Sequence, residues 1–235
     1  MAAPTLSLIV PLYNEEANLP TLVAVCERVL DSMGCEWEMI LVDDGSTDGS
    51  WAVLQRLQEA QPRLKLLRHP SRQGKTAAYR TGFRAARGDF LFTLDADLQE
   101  DHTVIPQMLR SLQEGVDMVV GWRRARRDSW QRRFASWLFN TFLRVAFRVP
   151  LHDINCGFRG MRREVAEALL PWLQYEFHRY LPLIAMRLGY TVAEMVVAHR
   201  PRQHGTSRYG WERYYHALID LWRLWRQLRQ FTSKG

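Results

Sequence analysis

Short apolar segments alternate with longer amphipathic ones through the first hundred residues of the chain. The short segments are rich in branched residues, as buried strands are, and span residues 6–13, 37–42, 64–67 and 90–94. Between the first two, apolar residues recur at helical spacing, at Leu19, Leu22, Val23 and Cys26. Strands that alternate with helices predict an α/β fold, with a mostly parallel central sheet, right-handed crossovers and helices on both faces.

Polar capping residues predict where the helices begin. Asn14 is expected to cap the first helix, because it directly follows the first apolar segment. The turn at residues 43–50 is rich in capping residues and predicts a helix from about Trp51 to Ala60. A third helix is predicted at residues 77–86, after Gly74, Lys75 and Thr76.

The predicted strand at residues 90–94 ends in two carboxylates, Asp95 and Asp97, with Gln99 two residues further on. In an extended chain these three side chains would point the same way. Carboxylates at the tip of a buried strand need a partner, and Mg²⁺ or Mn²⁺ prefers such oxygen ligands. A polar turn explains Asp-x-Asp equally well when the motif is considered alone.

Two other predicted strands also end in polar residues. Tyr13, Asn14 and Glu15 follow the first strand, and the run at residues 43–46 follows the second. In an open parallel sheet, ligands bind beyond the carboxyl ends of the strands, where these residues would meet Asp95 and Asp97. Independent turns would not require three polar tips at one rim, so the sequence predicts a nucleotide or phosphate site there.

Composition narrows the class of partner. The 235 residues are 47% hydrophobic, enough for the core of one large domain, and the formal net charge is +7. That charge favours an anionic partner, such as a phosphorylated small molecule, nucleic acid or an acidic membrane. Residues 1–5 lack the basic start of a signal peptide, and no apolar run has membrane-spanning length. The three cysteines lack metal-ligand spacing and are expected to be reduced thiols of a cytosolic protein.

The residues at the three strand tips resemble a known family. Residues 10–15 (Val-Pro-Leu-Tyr-Asn-Glu), 42–49 (Val-Asp-Asp-Gly-Ser-Thr-Asp-Gly) and 95–99 (Asp-Ala-Asp-Leu-Gln) are similar in order and spacing to family 2 inverting glycosyltransferases of the GT-A fold. The second half, at residues 121–123, 127–136, 155–159 and 199–209, is similar to the polyprenyl-phosphate sugar transferases of that family. These include dolichyl-phosphate mannose synthases and bacterial undecaprenyl-phosphate sugar transferases.

The resemblance implies a set of site residues. The implied nucleotide contacts are Pro11, Tyr13, Glu15, Val42, Asp44 and Ala96. The implied metal ligands, for Mg²⁺ or Mn²⁺, are Asp95, Asp97 and Gln99. The implied contacts to donor and acceptor phosphates are Arg123, Arg132, Ser136, Arg202 and Arg208. Position 208 departs from the family, where Lys is usual, and the two transmembrane helices that often follow in bacterial relatives have no counterpart in this sequence.

The chemistry implied by the resemblance is transfer of a hexose-type sugar from GDP-mannose or a UDP-hexose to a polyprenyl phosphate, with inversion. Asp97, Arg123 and Arg202 are the expected catalytic residues. A metal would stabilise the departing diphosphate, and an acceptor phosphate is already anionic, so it needs no general base. A saccharide hydroxyl would need one, and Asp153 and His178 are the candidates.

Two aromatic and arginine-rich stretches indicate a membrane surface. Apolar residues recur at helical spacing among arginines at residues 132–148 and 211–231, which is typical of helices lying on an anionic bilayer. We therefore expect a catalytic domain at residues 1–208 and an amphipathic helix at residues 209–235. The predicted location is the cytoplasmic face of the membrane, as a peripheral protein. Packing on the core, on a small membrane-protein partner or in a homodimer explains the same stripes.

Three rival functions remain open at this point. They are transfer to a saccharide hydroxyl, a scaffold that binds nucleotide sugars without catalysis, and a nucleotidyltransferase that makes nucleotide sugars. A P-loop is excluded because position 69 is His where that motif requires Gly. The basic run at residues 123–127 is not accompanied by a nucleic-acid-binding motif, so no nucleic-acid partner is predicted.

Overall fold

The computed structural model describes residues 5–124, 141–145, 147, 149–200 and 219–228. The strands in these residues are β1 Leu6–Leu12, β2 Trp37–Asp43, β3 Leu64–Arg68, β4 Phe90–Thr93, β5 Met118–Trp122, β6 Arg159–Arg162 and β7 Val192–Val196. The fully described α-helices are α1 Leu19–Asp31, α2 Ser50–Ala60, α3 Lys75–Ala85, α4 Ile105–Gln113, α5 Arg163–Leu169 and α6 Leu181–Arg187. Residues 141–145 and 219–228 are also helical.

Across the described residues the strands form one sheet in the order β3-β2-β1-β4-β6-β5-β7. All neighbours pair in parallel except at β6, which runs antiparallel to both β4 and β5. Every residue of β1 and β2 is buried, as their continuous apolar sequences predict for strands covered on both faces. The α/β fold with a mostly parallel sheet is therefore confirmed. The carboxyl ends of β2, β1 and β4 are neighbours at one rim of this sheet.

The prediction that Asn14 caps the first helix is wrong. Helix α1 begins at Leu19, with Pro20 in its first turn, where a missing N–H costs little. Asn14 instead adopts a left-handed conformation, with φ of 54°. Its side chain bonds the turn after β2, where Nδ2 donates to Thr47 Oγ1 at 3.1 Å. An Asn side chain tolerates this conformation, so the residue joins two loops and leaves the helix to start later.

Helical residues 219–228 have one face on the core and one face in solvent. Leu221, Leu224 and Leu228 are buried, whereas Trp222 and Trp225 are 55% and 40% exposed. The guanidinium of Arg223 lies 4.6 Å from the ring centre of Tyr175. This described part of the predicted C-terminal helix is thus amphipathic and contacts the rest of the protein. No helix in the described ranges has both the length and the apolar character needed to cross a bilayer.

Candidate active site

The ends of β1 and β2 meet directly in the sheet. Pro11 is paired with Val42, and both residues are buried. Beyond the strands, the backbone N–H of Asp44 donates to Leu12 O at 2.9 Å, and the N–H of Glu15 donates to Ser50 Oγ at 2.9 Å. The structure therefore brings the predicted nucleotide contacts of the first two strands together as one connected surface.

Asp44 fixes the loop that leads into α3. Its Oδ1 accepts from the backbone N–H of Gln73 and its Oδ2 from that of Gly74, both at 2.8 Å. His69 Nδ1 lies 2.8 Å from the same Oδ1, and its Nε2 lies 2.9 Å from Thr81 Oγ1. Since Asp44 is buried and bonded on both oxygens, its carboxylate shapes the loop at residues 69–74. The order and spacing of residues in the sequence did not reveal this structural task.

Tyr13 and Glu15 lie at the mouth of this loop. The guanidinium of Arg72 sits 4.6 Å from the ring centre of Tyr13, an ordinary cation–π distance. Glu15 Oε2 accepts from Asn18 Nδ2 at 2.7 Å, just before α1 begins. An aromatic face and an exposed cation thus border the surface beside Asp44, which suits a planar, anionic ligand.

The chain turns immediately after β4, so the extended geometry predicted for residues 95–99 is wrong. Strand β4 ends at Thr93, a turn forms at Ala96 and Asp97, and Leu98 has φ of 59°. Asp97 Oδ1 accepts from the N–H of Gln99 at 3.2 Å, and Gln99 Nε2 donates to Arg200 O at 3.2 Å. The turn keeps both carboxylates at the rim, but their side chains do not follow the alternation of an extended strand.

Gly157 makes room for Asp95. A Cβ at position 157 would lie 2.8 Å from Asp95 Oδ1, closer than real Cβ contacts allow. The backbone there is held by Thr93, whose Oγ1 donates to Gly157 O at 2.7 Å. The segment before β6 therefore passes directly against the acidic turn, and a larger residue at position 157 would require the Asp95 side chain to move.

Lys75, the first residue of α3, forms an ion pair with Asp95 through its Nζ and the Asp95 Oδ1. Burial acts to lower the pKa of Lys75, but Asp95, together with Tyr79 and Glu100, outweighs it, so that pKa is raised. Burial likewise acts to raise the pKa of Asp95, and the charge of Lys75 reverses this, so the pKa of Asp95 is lowered. Sequence reasoning missed Lys75 as a site residue. The Gly-Lys-Thr run at the predicted helix start was the available signal, and it was considered only as a P-loop.

A third carboxylate, Glu100, lies buried beside this pair. Burial, then the charges of Asp95 and Asp97, raises the pKa of Glu100 to about 8. Its Oε2 is buried and has no hydrogen-bond partner among the described residues. The turn therefore gathers three carboxyl groups, one of which has a buried oxygen with no hydrogen-bond partner in the described part of the chain, and oxygen donors of this kind suit a divalent cation.

The donor set fits a divalent cation that a substrate completes. In the described ranges, no group of three or more His, Cys, Asp and Glu residues is arranged to hold a metal. Mg²⁺, however, is commonly bound by one or two carboxylates together with substrate phosphates and water. Asp95 and Asp97, backed by the unpartnered Glu100 oxygen, meet that requirement.

Arg123 and Asp153 form a two-pronged ion pair on the other side of the turn. Arg123 Nε donates to Asp153 Oδ2 at 2.8 Å and its second terminal nitrogen to Oδ1 at 3.0 Å. The Asp153 N–H in turn donates to Glu194 Oε1 at 2.8 Å, and His152 Nδ1 lies 2.8 Å from Glu194 Oε2. Both carboxylate oxygens of Asp153 are thus engaged by the guanidinium of Arg123.

His178 packs inside the protein against α3. Its Nδ1 lies 2.7 Å from Thr76 Oγ1, and its ring centre lies 5.9 Å from that of Tyr79. Burial, together with the charges of Lys75, Arg179 and Arg159, lowers the pKa of His178 well below its usual value. The neutral imidazole therefore serves packing and hydrogen bonding in the interior.

Four predicted phosphate contacts, Arg132, Ser136, Arg202 and Arg208, lie outside the described residues. The segment that leads toward the last two is described as far as Arg200. The backbone N–H of Arg200 donates to Gln99 O at 2.8 Å, so the described segment ends directly beside the acidic turn.

The order of the sheet and the acidic residues at the ends of its strands define the class of the protein, which is the GT-A fold. Similar solved structures include a mannosyltransferase from Pyrobaculum calidifontis in complex with GDP-Man and Mn²⁺, at a TM-score of 0.59 and 23% identity, covering 87% of this chain and 59% of that one. Another is glucosyl-3-phosphoglycerate synthase from Mycobacterium tuberculosis in complex with Mn²⁺ and UDP-glucose, at a TM-score of 0.61 and 20% identity, covering 86% and 72%. These likenesses concern the fold.

Sequence comparison identifies the family. Residues 7–170 match the profile of glycosyl transferase family 2, and the chain belongs to that family. It is 35% identical over 216 residues to an undecaprenyl-phosphate 4-deoxy-4-formamido-L-arabinose transferase of Aeromonas hydrophila, covering 92% of this chain and 66% of that protein. It is 34% identical over 221 residues to a dodecaprenyl-phosphate galacturonate synthase of Rhizobium johnstonii, covering 92% and 65%. The chain thus spans slightly less than two thirds of the length of these relatives.

Proposed function

We propose that the protein transfers a sugar from a nucleoside diphosphate sugar to a polyprenyl phosphate, with inversion and with Mg²⁺ or Mn²⁺. Family membership and the two lipid-phosphate sugar transferases that resemble 92% of the chain support this reaction. GDP-mannose and UDP-hexoses are the proposed donors, and the sugars named in the two relatives extend the choice. The solved neighbours with GDP-Man, UDP-glucose and Mn²⁺ support a donor of this class.

Each half of the proposed donor has a surface that suits it. The base would lie near Tyr13, Arg72 and Asp44, where an aromatic ring and a cation border a fixed loop. The diphosphate would lie at Asp95 and Asp97, which would hold the divalent cation. When bound, that cation would act as a Lewis acid and stabilise the charge of the departing nucleoside diphosphate. The residues of the chain hold the donor in place and supply further positive charge.

The contacts of the two candidate bases, Asp153 and His178, are the observation that supports a phosphate acceptor over a saccharide hydroxyl. Asp153 is bound by both prongs of Arg123, and His178 is neutral in the interior beside Thr76. Neither is placed to take a proton from a saccharide hydroxyl, whereas a phosphate acceptor attacks as an anion. Such an acceptor needs cations that bring two anions together. We assign that role to Arg123 and, among the residues outside the described ranges, to Arg132, Arg202 and Arg208, with Ser136 as a neutral hydrogen-bond donor to the acceptor phosphate.

We further propose that residues 209–235 form a helix on the cytoplasmic membrane surface, attached to a catalytic domain at residues 1–208. The described part exposes Trp222 and Trp225, and Arg226 lies 4.9 Å from the ring centre of Trp222. Exposed tryptophans beside arginines suit the interface of an anionic bilayer. A small membrane protein or a second copy of the chain is the alternative occupant of this face. Sedimentation with anionic vesicles and with neutral vesicles distinguishes lipid from protein.

Transfer of radiolabel to organic-extractable undecaprenyl phosphate tests the reaction. The donor panel contains GDP-mannose, UDP-hexoses and nucleotide forms of the two sugars named above, each assayed with Mn²⁺ and with a chelator. We expect one donor to label the lipid only with metal, and Asp97→Ala to lower the rate by about a hundredfold to a thousandfold. Asp31→Asn is the matched control, because Asp31 pairs with Arg63 at the end of α1 and has no part in the site.

The same assay separates the rival reactions. Label in a saccharide acceptor, with none in lipid, would overturn the acceptor class while keeping the family chemistry. Release of pyrophosphate from a nucleoside triphosphate would indicate a nucleotidyltransferase. Donor binding without turnover in the presence of either acceptor would indicate a scaffold.

A further inference from the structure

The Lys75–Asp95 ion pair joins a predicted metal ligand to a residue that no part of the proposed reaction uses. Lys75 Nζ contacts one oxygen of Asp95, and both side chains are partly exposed at the rim, at 25% and 30%. Elsewhere Lys75 is bounded by the ring of Tyr79, whose centre lies 5.7 Å from Nζ. The ammonium of Lys75 therefore occupies a position next to Asp95 to which the carboxylate would otherwise attract an external cation.

The backbone of Lys75 is held rigidly by the nucleotide side of the site. Gly74 has φ of 93°, a conformation that admits the sharp entry into α3, and Asp44 holds the N–H groups of Gln73 and Gly74. Lys75 then begins an eleven-residue helix, whose positive end faces the same rim. The loop and helix are fixed, so any movement of the charge lies in the flexible lysine stem.

The described charges around Asp95 favour exchange of partners. Glu100 lies buried with an unpartnered oxygen, and Asp97 adds a further carboxylate close by. Arg123 and Arg159 also act on Asp95, so the site keeps two positive charges if Lys75 moves away, and a divalent cation brings twice the charge of the ammonium that it would replace. A nucleoside diphosphate that enters with such a cation brings anionic oxygens, for which Lys75 is a compact donor.

We propose that Lys75 and the divalent cation compete for Asp95, and that the displaced ammonium binds a phosphate of the nucleoside diphosphate. Lys75 is then a donor-binding residue whose contact forms only as the metal and nucleotide enter together. The proposal rests on the proposed function, because it assumes a metal-bound nucleoside diphosphate at Asp95. It predicts that removal of the Lys75 charge strengthens metal binding and weakens nucleotide binding.

Lys75→Met tests this opposition, because Met keeps much of the apolar stem and removes the charge. Mn²⁺ binding without nucleotide is followed by the electron paramagnetic resonance of free Mn²⁺, and UDP and GDP binding at saturating Mn²⁺ by calorimetry. We expect Mn²⁺ to bind about threefold to tenfold more tightly, since its competitor is gone. We expect the nucleoside diphosphate that the wild type accepts to bind about tenfold more weakly, for loss of one charged hydrogen bond.

Two further variants control for general effects. Lys65→Met removes the lysine that bonds the other end of α3, at Ala85 O, and should change neither affinity. Lys75→Arg keeps the charge and should restore most of the nucleotide affinity. Unfolding in urea checks that each variant is folded before binding is compared.

The outcomes separate the two levels of proposal. If Lys75→Met leaves both affinities unchanged or weakens both in parallel, the exchange is wrong and Lys75 has a structural role. If the wild type binds neither UDP nor GDP with Mn²⁺, the proposed function fails and the exchange fails with it. Opposite changes in the two affinities, with rescue by Lys75→Arg, support the exchange.

Discussion

At the ends of β1 and β2, the buried carboxylate of Asp44 accepts hydrogen bonds from backbone amides, whereas beyond the end of β5 the buried carboxylate of Asp153 is held chiefly by a guanidinium. Asp44 accepts from the N–H groups of Gln73 and Gly74, and Asp43 accepts from the N–H of Ser46 at 2.9 Å while its other oxygen lies 3.2 Å from Arg68 Nε. Asp153, by contrast, is held by the guanidinium of Arg123. The first region uses its charges to shape loops, and the second uses them to balance one another.

The two kinds of carboxylate therefore have different consequences: one makes a loop rigid, and the other neutralises a buried charge. A carboxylate that caps backbone amides fixes a surface for a ligand and loses little when the ligand leaves. A buried ion pair depends on both partners, and removal of one leaves the other desolvated and unpaired. The loops after β1 and β2 are therefore suited to the base of a nucleotide. The region around Arg123 is suited to a ligand whose charge changes the pairing of Arg123 with Asp153. The acidic turn at Asp95 lies between the two regions and uses both devices.

The largest expected effect is that of Arg123→Met on stability. Only 11% of the Arg123 side chain and 4% of the Asp153 side chain are exposed. Removal of the cation should lower the free energy of unfolding in urea by about 3 to 5 kcal/mol, since it deprives a buried carboxylate of its guanidinium. Adding Asp153→Asn should recover part of this loss. If the double variant is as unstable as the single one, the pair contributes through packing and the contrast between the regions weakens.

A somewhat smaller effect is expected from Asp44→Ala. It removes three acceptor contacts from the loop at residues 69–74 and should cost about 2 to 3 kcal/mol. Hydrogen exchange of the Gln73 and Gly74 amides should accelerate more than that of the core strands. Asp44→Asn keeps one acceptor oxygen, so its stability should lie between that of the wild type and that of Asp44→Ala. Unchanged exchange at these amides would show that the loop is held by other contacts.

Periodicity and turn chemistry predict most of the first region. The strands β1 to β4 follow from apolar runs, and the shared rim follows from a parallel order of strands. Helix starts were less predictable. Asn14 has the chemistry of a cap, but its side chain found Thr47 in a neighbouring turn, a contact that the local sequence does not contain.

The second region could not be predicted because its contacts join distant parts of the chain. Arg123 and Asp153 are 30 residues apart, and Asp153 and Glu194 are 41 apart. Each residue alone resembles a free base, acid or phosphate ligand, and only the fold shows that they engage one another. The same applies to Lys75, whose partner Asp95 lies on another element. The antiparallel strand β6 also lacks a signal, since Arg159–Arg162 is short and has charged ends.

Gly157→Ala tests how closely the two regions meet at the acidic turn. Its Cβ would press on Asp95 Oδ1, so we expect Mn²⁺ affinity to fall together with a stability loss of about 1 to 2 kcal/mol. Gly160→Ala is the matched control, because its Cβ would meet the Phe92 ring in the core at 2.6 Å. It should lower stability with little change in Mn²⁺ affinity. Equal losses of affinity in both variants would mean that the loss comes from general destabilisation and not from contact of the added methyl group with Asp95.

The smallest expected effect is a pH dependence from His178, which links the second region to α3 through Thr76. Its pKa is lowered in the folded protein, so the unfolded chain binds more protons below about pH 6.5, and stability should fall as the pH falls. The slope from this residue is at most about 1.4 kcal/mol per pH unit. His178→Gln should remove it from urea unfolding measured between pH 7.5 and 5, leaving the slope of His102, whose pKa burial also lowers. An unaltered slope would show that His178 is protonated in the fold and that its contact with Thr76 is not that of a neutral ring.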